Sequence, residues 1–185
     1  MKKTALITGI NGQDGSYLAE FLLEKGYEVH GILKRNSIPE NQTSRIQHIY
    51  SQIKNNLYHA DMCDMSSLLN VIKAVRPTEI YNLAAQSHVR ISFDQPVYTL
   101  ETIGAGTLNL LESIRLLDID CKLYQASSSE MFGNSIDSDG FQRETTPMNP
   151  VSPYACAKLL AYNLVKCYRE SYGIFATNGI LTDRS

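Results

Sequence analysis

Short apolar runs alternate along the chain with longer segments in which apolar residues recur at helical spacing. The runs hold few polar residues, which is typical of strands that are covered on both faces of a parallel sheet. Alternating strands and helices predict right-handed crossovers, so we expect an α/β fold with a Rossmann-type, doubly wound parallel sheet. The predicted strands are residues 4–8, 28–33, 56–60, 79–83, 122–126 and 174–181.

Several of the helical segments end at glycine or before proline, as helices usually do. In the first of them, Leu18, Phe21 and Leu22 share one face, and Gly26 follows the last turn. Gly104 and Gly106 interrupt the longest segment, where we expect them to permit close packing. The predicted helices are residues 16–25, 45–50, 66–75, 97–117 and 154–172, and the predicted loops are residues 36–43 and 138–153.

Three glycines follow the first strand at three-residue spacing, and a helical segment begins at once. Gly9 would allow a tight turn, Gly12 would let the backbone approach a pyrophosphate, and Gly15 would let the helix pack closely on the sheet. The helix N-terminus would offer N–H groups and a positive dipole end to phosphates. A glycine-rich turn with no ligand is the alternative, but the position between a strand and a helix favours dinucleotide binding.

The end of the second strand indicates which dinucleotide is bound. A unit that prefers NAD usually has Asp or Glu there, for the ribose 2′-hydroxyl. This chain has Lys34 and Arg35 instead, with Asn36 and Ser37 behind them. Two cations suit a 2′-phosphate, so NADP is the predicted cofactor, and a solvated basic loop is the alternative.

Two further segments follow strands, at the edge where open α/β sheets bind their ligands. After the third strand, the carboxylate of Asp61 could hold an adenine and the thioether of Met62 could cover it. After the fourth strand, small residues could let a cofactor lie against the backbone; they are Ala84, Ala85, Gln86 and Ser87.

Tyr154 and Lys158 stand four residues apart on one predicted helix, which Pro153 starts. An ammonium near a phenol favours the phenolate, and such a tyrosine can take a proton from a sugar hydroxyl during hydride transfer to a nicotinamide. Pairs of this kind are common on helix surfaces. The dinucleotide motif and the polar end of the fifth strand, Ser127-Ser128-Ser129-Glu130, favour the catalytic interpretation.

Glu130 suggests a further reaction step. Oxidation of a hydroxyl needs only a tyrosine, a lysine and a hydroxyl group, so a carboxylate beside them indicates removal of a second proton, next to the new carbonyl. A capping or solvent-facing glutamate is the alternative.

The composition narrows the class of protein. A chain of 185 residues with 43% hydrophobic residues suits one ordinary domain, and a net charge of −2 without long charge runs argues against nucleic-acid binding. The four cysteines form no C-x-x-C pair, so we expect no metal site and mostly buried, reduced thiols. The apolar run after Lys3 is broken at Gly9, too early for a signal peptide or membrane span, which predicts a soluble cytoplasmic protein.

The glycine motif together with Tyr154-x-x-x-Lys158 resembles the extended short-chain dehydrogenase/reductase family. The longer strings at residues 8–31, 86–89, 124–127 and 168–173 are similar to the GDP-mannose 4,6-dehydratase family within it. The resemblance implies Ser128, Glu130, Tyr154 and Lys158 as catalytic residues, with Ser128 standing where the family usually has Thr. It implies these cofactor-binding residues: Gly9, Ile10, Asn11, Gly12, Gln13, Asp14, Lys34, Arg35, Asn36, Ser37, Asp61, Met62, Leu83, Ala84, Ala85, Gln86, Ser87, Tyr98, Tyr154 and Lys158.

The implied reaction converts GDP-mannose to GDP-4-keto-6-deoxymannose. Tyr154 takes the C4 hydroxyl proton, helped by Ser128 and Lys158, while hydride passes to NADP⁺. Glu130 then removes the C5 proton, water leaves C6, and the hydride returns to C6. Dehydration of another GDP-sugar such as a GDP-heptose, and epimerase or reductase activity, remain alternatives; Glu130 argues against the last two.

The resemblance stops near residue 181, before the smaller substrate domain of that family. We therefore expect residues 1–185 to be an NADP-binding domain truncated before its C-terminal substrate domain, and an inactive NADP-binding fragment is a further alternative. The resemblance also implies a homo-oligomer, a dimer or tetramer. The apolar residues in ranges 108–117 and 159–165 are consistent with a contact to a second subunit, and an intrachain core is the alternative.

Overall fold

A computed structural model describes residues 3–34 and 43–182. Six parallel strands form one sheet in the order β3-β2-β1-β4-β5-β6, which confirms the Rossmann-type α/β fold. The strands are β1 (Thr4–Thr8), β2 (Glu28–Leu33), β3 (Leu57–His59), β4 (Glu79–Asn82), β5 (Lys122–Ser128) and β6 (Ala176–Leu181). Their order reverses between β1 and β4, which is where folds of this class bind a ligand.

Helices connect the strands, and short turns extend some of them. The α-helices are α1 (Gln13–Glu24), α2 (Tyr50–Ile53), α3 (Met65–Val75), α4 (Val89–Asp94), α5 (Pro96–Leu100), α6 (Gly106–Leu117) and α7 (Pro153–Tyr172). Short 3₁₀ turns cover Ser44–Ile49, Lys54–Asn56 and Ser129–Phe132, and a π-helical turn, Glu101–Ala105, joins α5 to α6.

Apolar side chains cover both faces of the sheet. Leu6 belongs to the cluster packed under α3, α6 and α7, whereas its neighbour Ile7 belongs to the cluster on the face of α1 and α2. Both side chains are fully buried, because alternate residues of a strand point to opposite faces. A strand buried on both faces reads as a continuous apolar run, which is the pattern seen in the sequence.

Glycines allow three close helix contacts. α1 begins at Gln13, earlier than the predicted residue 16, and a Cβ on Gly15 would lie 2.2 Å from the Gly9 carbonyl oxygen. In the long helical segment, a Cβ on Gly104 would lie 2.7 Å from Leu160, and one on Gly106 would lie 2.8 Å from the Met62 side chain. The expected close packing at these glycines is therefore confirmed.

Three expectations need correction. Phe21 is 52% exposed, because Gly15, Ser16, Ala19 and Leu22 form the buried face of α1. β5 continues through Ser128, since its pairing with β6 extends to that residue. The thiols are mostly exposed rather than buried: only Cys121 is buried, and the exposed ones are Cys63, Cys156 and Cys167.

None of the helices within residues 3–34 and 43–182 has the length and apolar character needed to cross a membrane.

Candidate functional site

The glycine-rich turn lies at the carboxyl edge of the sheet, beside the segment that follows β4. Gly9 has φ +68°, a conformation that favours glycine, and a Cβ there would lie 3.1 Å from the backbone of Ala84. The Gly12 N–H donates to the Gly9 carbonyl at 2.9 Å and closes the turn. Gly12 is also the N-cap of α1 and has no side-chain oxygen to compete for the N–H groups of the first turn. A phosphate could bind those groups.

Thr8 fixes the neighbouring segment. Its Oγ1 accepts the backbone N–H groups of Leu83 and Ala84, each at 3.1 Å. The predicted cofactor residues after β4 are therefore tied to the residue that precedes Gly9. Further along, the Gln86 side chain accepts the N–H of His88 at 2.6 Å and donates to its carbonyl at 3.0 Å.

Three predicted cofactor residues from distant parts of the chain meet after β2 and β3. The Lys34 ammonium lies 3.1 Å from a carboxylate oxygen of Asp61 and donates to the hydroxyl of Tyr98 at 3.0 Å. Burial opposes the charge, but these hydrogen bonds raise the pKa of Lys34. The predicted residues Arg35, Asn36 and Ser37 lie outside the described residues.

Asp61 and Met62 differ in what they could offer a ligand. Burial favours the neutral form of Asp61, but the Cys63 N–H and the Lys34 ammonium outweigh burial and lower the pKa of this carboxyl group. The carboxylate is therefore held ionised. Met62 is 5% exposed, and its side chain belongs to the core beside Gly106. Its carbonyl accepts from Asn109 at 2.8 Å. A contact between the Met62 thioether and adenine stays a prediction.

The Tyr–Lys pair is held by the first turns of α7. The Ser152 hydroxyl caps this helix by accepting from the N–H of Ala155 at 3.1 Å, and the Tyr154 N–H donates to Ser92 Oγ at 3.2 Å. Lys158 Nζ lies 5.7 Å from the centre of the Tyr154 ring. Helical spacing thus brings the two side chains together, as predicted.

Lys158 is a buried ammonium, 5% exposed, that donates to the carbonyl oxygen of Ala126 at 2.8 Å. Burial lowers the pKa of Lys158 to about 8, although the charge of Asp14 opposes the shift. An amine with this pKa changes its charge close to neutral pH, which suits a group that supports proton transfer.

Ser128 and Glu130 lie where β5 ends. Ser128 Oγ accepts the N–H of Glu130 at 3.2 Å and so caps the turn Ser129–Phe132. This turn contacts α7, the helix that carries the Tyr–Lys pair. Glu130 is half-buried. The structure therefore brings the four predicted catalytic residues to one region of the carboxyl edge, while their roles stay predictions.

Three polar residues beneath this edge were not predicted as part of the site: Thr8, Asn82 and Gln125. They are at most 2% exposed and hydrogen-bond to one another across β1, β4 and β5. A signal was present, because each is a polar residue within a predicted strand and directly follows an apolar or aromatic residue.

The strand order, the turn after β1 and the Tyr–Lys helix define a domain of the extended short-chain dehydrogenase/reductase class. Within that class, residues 6–185 match the family model described as GDP-mannose 4,6 dehydratase. The chain belongs to this family.

Curated relatives agree with the family match. The chain is 54% identical to GDP-mannose 4,6-dehydratase of Vibrio cholerae, with 98% of the chain and 50% of the relative aligned. It is 52% identical to GDP-mannose 4,6 dehydratase of Homo sapiens, with 97% of the chain and 50% of the relative aligned. The chain thus spans about half the length of the curated relatives it matches.

Solved structures show the same architecture. UDP-glucose 4-epimerase of Thermus thermophilus, complexed with NAD, superposes with a TM-score of 0.82 at 28% identity, over 95% of this chain and 53% of that one. DesIV of Streptomyces venezuelae, a dTDP-glucose 4,6-dehydratase with NAD and TYD bound, superposes with a TM-score of 0.79 at 26% identity. The alignment covers 95% of this chain and 54% of that one.

Proposed function

We propose that this chain is the cofactor-binding part of a GDP-mannose 4,6-dehydratase that uses NADP. The observation that carries the proposal is the buried Lys158 ammonium beside Tyr154, on a helix that contacts the turn with Glu130. The names of the curated relatives supply the substrate, GDP-mannose. The half of the relatives that this chain does not span would hold most of such a substrate, so residues 1–185 are proposed as the cofactor domain alone.

The described residues fit a nicotinamide dinucleotide. A Cβ at Gly9 would crowd the backbone of Ala84, so the absence of a side chain keeps this cradle narrow. The N-terminus of α1 can hold a pyrophosphate. Structural relatives are solved with NAD, and the choice of NADP rests on Lys34 and on the sequence position of Arg35. When bound, the dinucleotide supplies a hydride acceptor and donor.

The chain's own residues then provide the proton chemistry. Tyr154 takes the proton of the C4 hydroxyl, because the neighbouring Lys158 ammonium favours the phenolate. Ser128 stands at the end of β5, where its hydroxyl can hydrogen-bond to the same C4 oxygen. Lys158 keeps its position through the Ala126 carbonyl.

Glu130 distinguishes dehydration from simpler chemistry. Once C4 is a ketone, the C5 proton is acidic, and a carboxylate can remove it while water leaves C6. Epimerases and reductases of this class need no such step, so Glu130 favours a dehydratase over the epimerase or reductase alternative. A GDP-heptose as substrate, and NADP binding without turnover, are tested by the experiments below.

We also propose a cytoplasmic homo-oligomer, a dimer or a tetramer. In the ranges 108–117 and 159–165, where a contact between subunits is predicted, most apolar residues are core residues, including Leu110, Leu111 and Val165. Within the predicted ranges, Leu116 and Leu160 are 54% and 41% exposed, and outside them Val97 and Leu100 of α5 are 66% and 46% exposed. Light scattering of the purified chain tests this proposal, and a monomer at high concentration would contradict it.

The dehydratase proposal is tested with a chimera. Residues 1–181 are joined to the corresponding second half of the Vibrio cholerae relative, and the product of GDP-mannose is identified by mass spectrometry and NMR. A 4-keto-6-deoxy product supports the proposal, and a C4 epimer alone contradicts it. Glu130→Gln should block dehydration, whereas Tyr154→Phe should block the first oxidation. A parallel assay with a GDP-heptose tests the alternative substrate.

A further inference from the structure

Three polar side chains lie side by side in the interior of the sheet. Thr8 of β1 is paired with Asn82 of β4, and Asn82 is paired with Gln125 of β5, so the three side chains share one rung. All three are at most 2% exposed. Burying polar groups costs stability unless their hydrogen bonds are made, so a rung of this kind calls for a physical explanation.

Hydrogen bonds run through the rung in one direction. Thr8 Oγ1 donates to Asn82 Oδ1 at 2.6 Å, and Asn82 Nδ2 donates to Gln125 Oε1 at 2.7 Å. Gln125 Nε2 then donates to the carbonyl oxygen of Ala126 at 3.1 Å. Throughout residues 3–34 and 43–182, every buried side-chain nitrogen and oxygen has such a partner. This arrangement therefore satisfies all the groups of the rung, and Thr107 Oγ1 is a further hydrogen-bond partner of Gln125 Oε1 at 3.2 Å.

The rung ends on the carbonyl that holds Lys158. Ala126 accepts from Gln125 and also from the Lys158 ammonium, which lies 2.8 Å from the carbonyl oxygen. A carbonyl oxygen has two lone pairs, so the Gln125 amide occupies one and leaves the other for the ammonium. Asn82 fixes which end of the Gln125 amide faces Ala126, because Asn82 donates and the Gln125 oxygen must accept.

We propose that Gln125 is a positioning residue for Lys158, acting through the Ala126 carbonyl, with Asn82 and Thr8 fixing the orientation of the Gln125 amide. The consequence for catalysis rests on the proposed function, because it depends on Lys158 supporting Tyr154. The positioning itself is a property of the chain without cofactor, and it is tested there.

The test measures the pKa of Lys158 by NMR in the cofactor-free chain, with lysine labelled with carbon-13 at Cε. The Lys158 signal is assigned by its loss in Lys158→Met. Gln125→Met removes the second donor on the Ala126 carbonyl at similar volume, so the ammonium is no longer confined to one lone pair. Its hydrogen bond to Ala126 then strengthens, because two donors on one oxygen weaken each other. We expect the pKa of Lys158 to rise by about half a unit. The charge of Asp14, which also acts on Lys158, is unchanged in this variant.

A second variant and a control make the result decisive. Gln125→Glu keeps the acceptor for Asn82 and places an acidic oxygen near the ammonium, so its upward shift should exceed that of Gln125→Met. Ser113→Ala removes another buried hydroxyl, which bonds to Asn109 within α6, and should leave the Lys158 pKa unchanged.

An unchanged or lowered Lys158 pKa in Gln125→Met overturns the proposal. So does loss of the folded state in both Gln125 variants, because Gln125 would then serve the stability of the sheet rather than the position of Lys158. Failure of the dehydratase proposal would show as absent product in the chimera and would leave this NMR result untouched.

Discussion

Lys34 and Asp61 form an ion pair at the carboxyl edge of the sheet, with Nζ and Oδ2 3.1 Å apart. The pair joins the end of β2 to the end of β3, where the adenosine part of a dinucleotide lies in folds of this class. If NADP binds as proposed, Lys34 would meet its 2′-phosphate with part of the ammonium charge already compensated by Asp61. Asp61, proposed as an adenine ligand, would also weaken the attraction for that phosphate.

Asp61→Asn should increase the preference for NADP over NAD. Without the carboxylate, less of the Lys34 charge is compensated, so its attraction for the 2′-phosphate increases. The ratio of NAD to NADP dissociation constants should then rise roughly threefold to tenfold. Any contact of residue 61 with adenine affects both cofactors alike and cancels in the ratio. Calorimetric titrations with NAD and with NADP give the two dissociation constants and so their ratio.

Lys34→Ala is the matched opposite change and should lower the same ratio. If neither substitution alters the ratio, the charges of Lys34 and Asp61 do not determine the choice of cofactor. The sequence prediction that Arg35 contributes would then need its own test by Arg35→Asp.

Gly15→Ala should destabilise the fold more than Gly26→Ala. The new methyl group would meet the Gly9 carbonyl at 2.2 Å, whereas Gly26 has φ +79° but no neighbouring atom within 4 Å. Contact with backbone forces the turn or α1 to move, at a cost of about 1–3 kcal/mol or more, against about 1 kcal/mol for a positive φ. Urea denaturation gives the free energy of unfolding of each variant. Equal losses of stability would show that α1 shifts at little cost to accommodate the methyl group.

Lys158→Met should stabilise the folded chain at neutral pH. The pKa of Lys158 falls from 10.5 to about 8 on folding, so the folded state binds the proton less well than the unfolded state. The resulting cost is fully present below about pH 8 and disappears as the pH rises towards 10.5. The gain at about pH 7 should be on the order of 3 kcal/mol.

Thermal melts from neutral to alkaline pH test this expectation. Lys166→Met replaces an exposed lysine on the same helix and should change stability by less than about 0.5 kcal/mol. A gain for Lys158→Met that persists unchanged at high pH would show that burial of the charge is not its cause.

Ser128→Ala should impair the chimera far more than Ser128→Thr. Alanine removes both the hydroxyl proposed to act on the C4 oxygen and the acceptor that caps the turn with Glu130. Threonine keeps both, so kcat should fall about a hundredfold for alanine and stay near the unsubstituted value for threonine. Single-turnover experiments measure the rate constant of the oxidation step separately. Equal rate constants for Ser128→Ala and the unsubstituted chimera would show that Ser128 takes no part in the reaction.

The sequence predicted the sheet well because its strands are buried on both faces and are separated by helices. It predicted the ends of elements less well where distant parts of the chain decide them. β5 extends through Ser128 because β6 pairs there, with Ser128 opposite Leu181. α1 starts at Gln13 because Gly12 serves as its N-cap, which the periodicity of apolar residues does not reveal.

The site was predictable where spacing along one element brings residues together, as for Tyr154 and Lys158. It was not predictable where the fold brings together residues from three strands. Thr8, Asn82 and Gln125 each stand out as polar residues, but their common rung follows from the register of β1, β4 and β5. The Lys34–Asp61 ion pair likewise depends on the adjacency of β2 and β3.

The most direct test of the account is a calorimetric titration of the 185-residue chain with NADP and, separately, with NAD. The turn after β1, the Lys34 ammonium and the helix with Tyr154 and Lys158 all lie within this chain. We therefore predict saturable binding of NADP, with higher affinity than NAD. The same preparation should dehydrate GDP-mannose negligibly, because remote binding energy is needed to position the sugar. A folded chain that binds neither cofactor, or that binds NAD and NADP equally, would contradict the account.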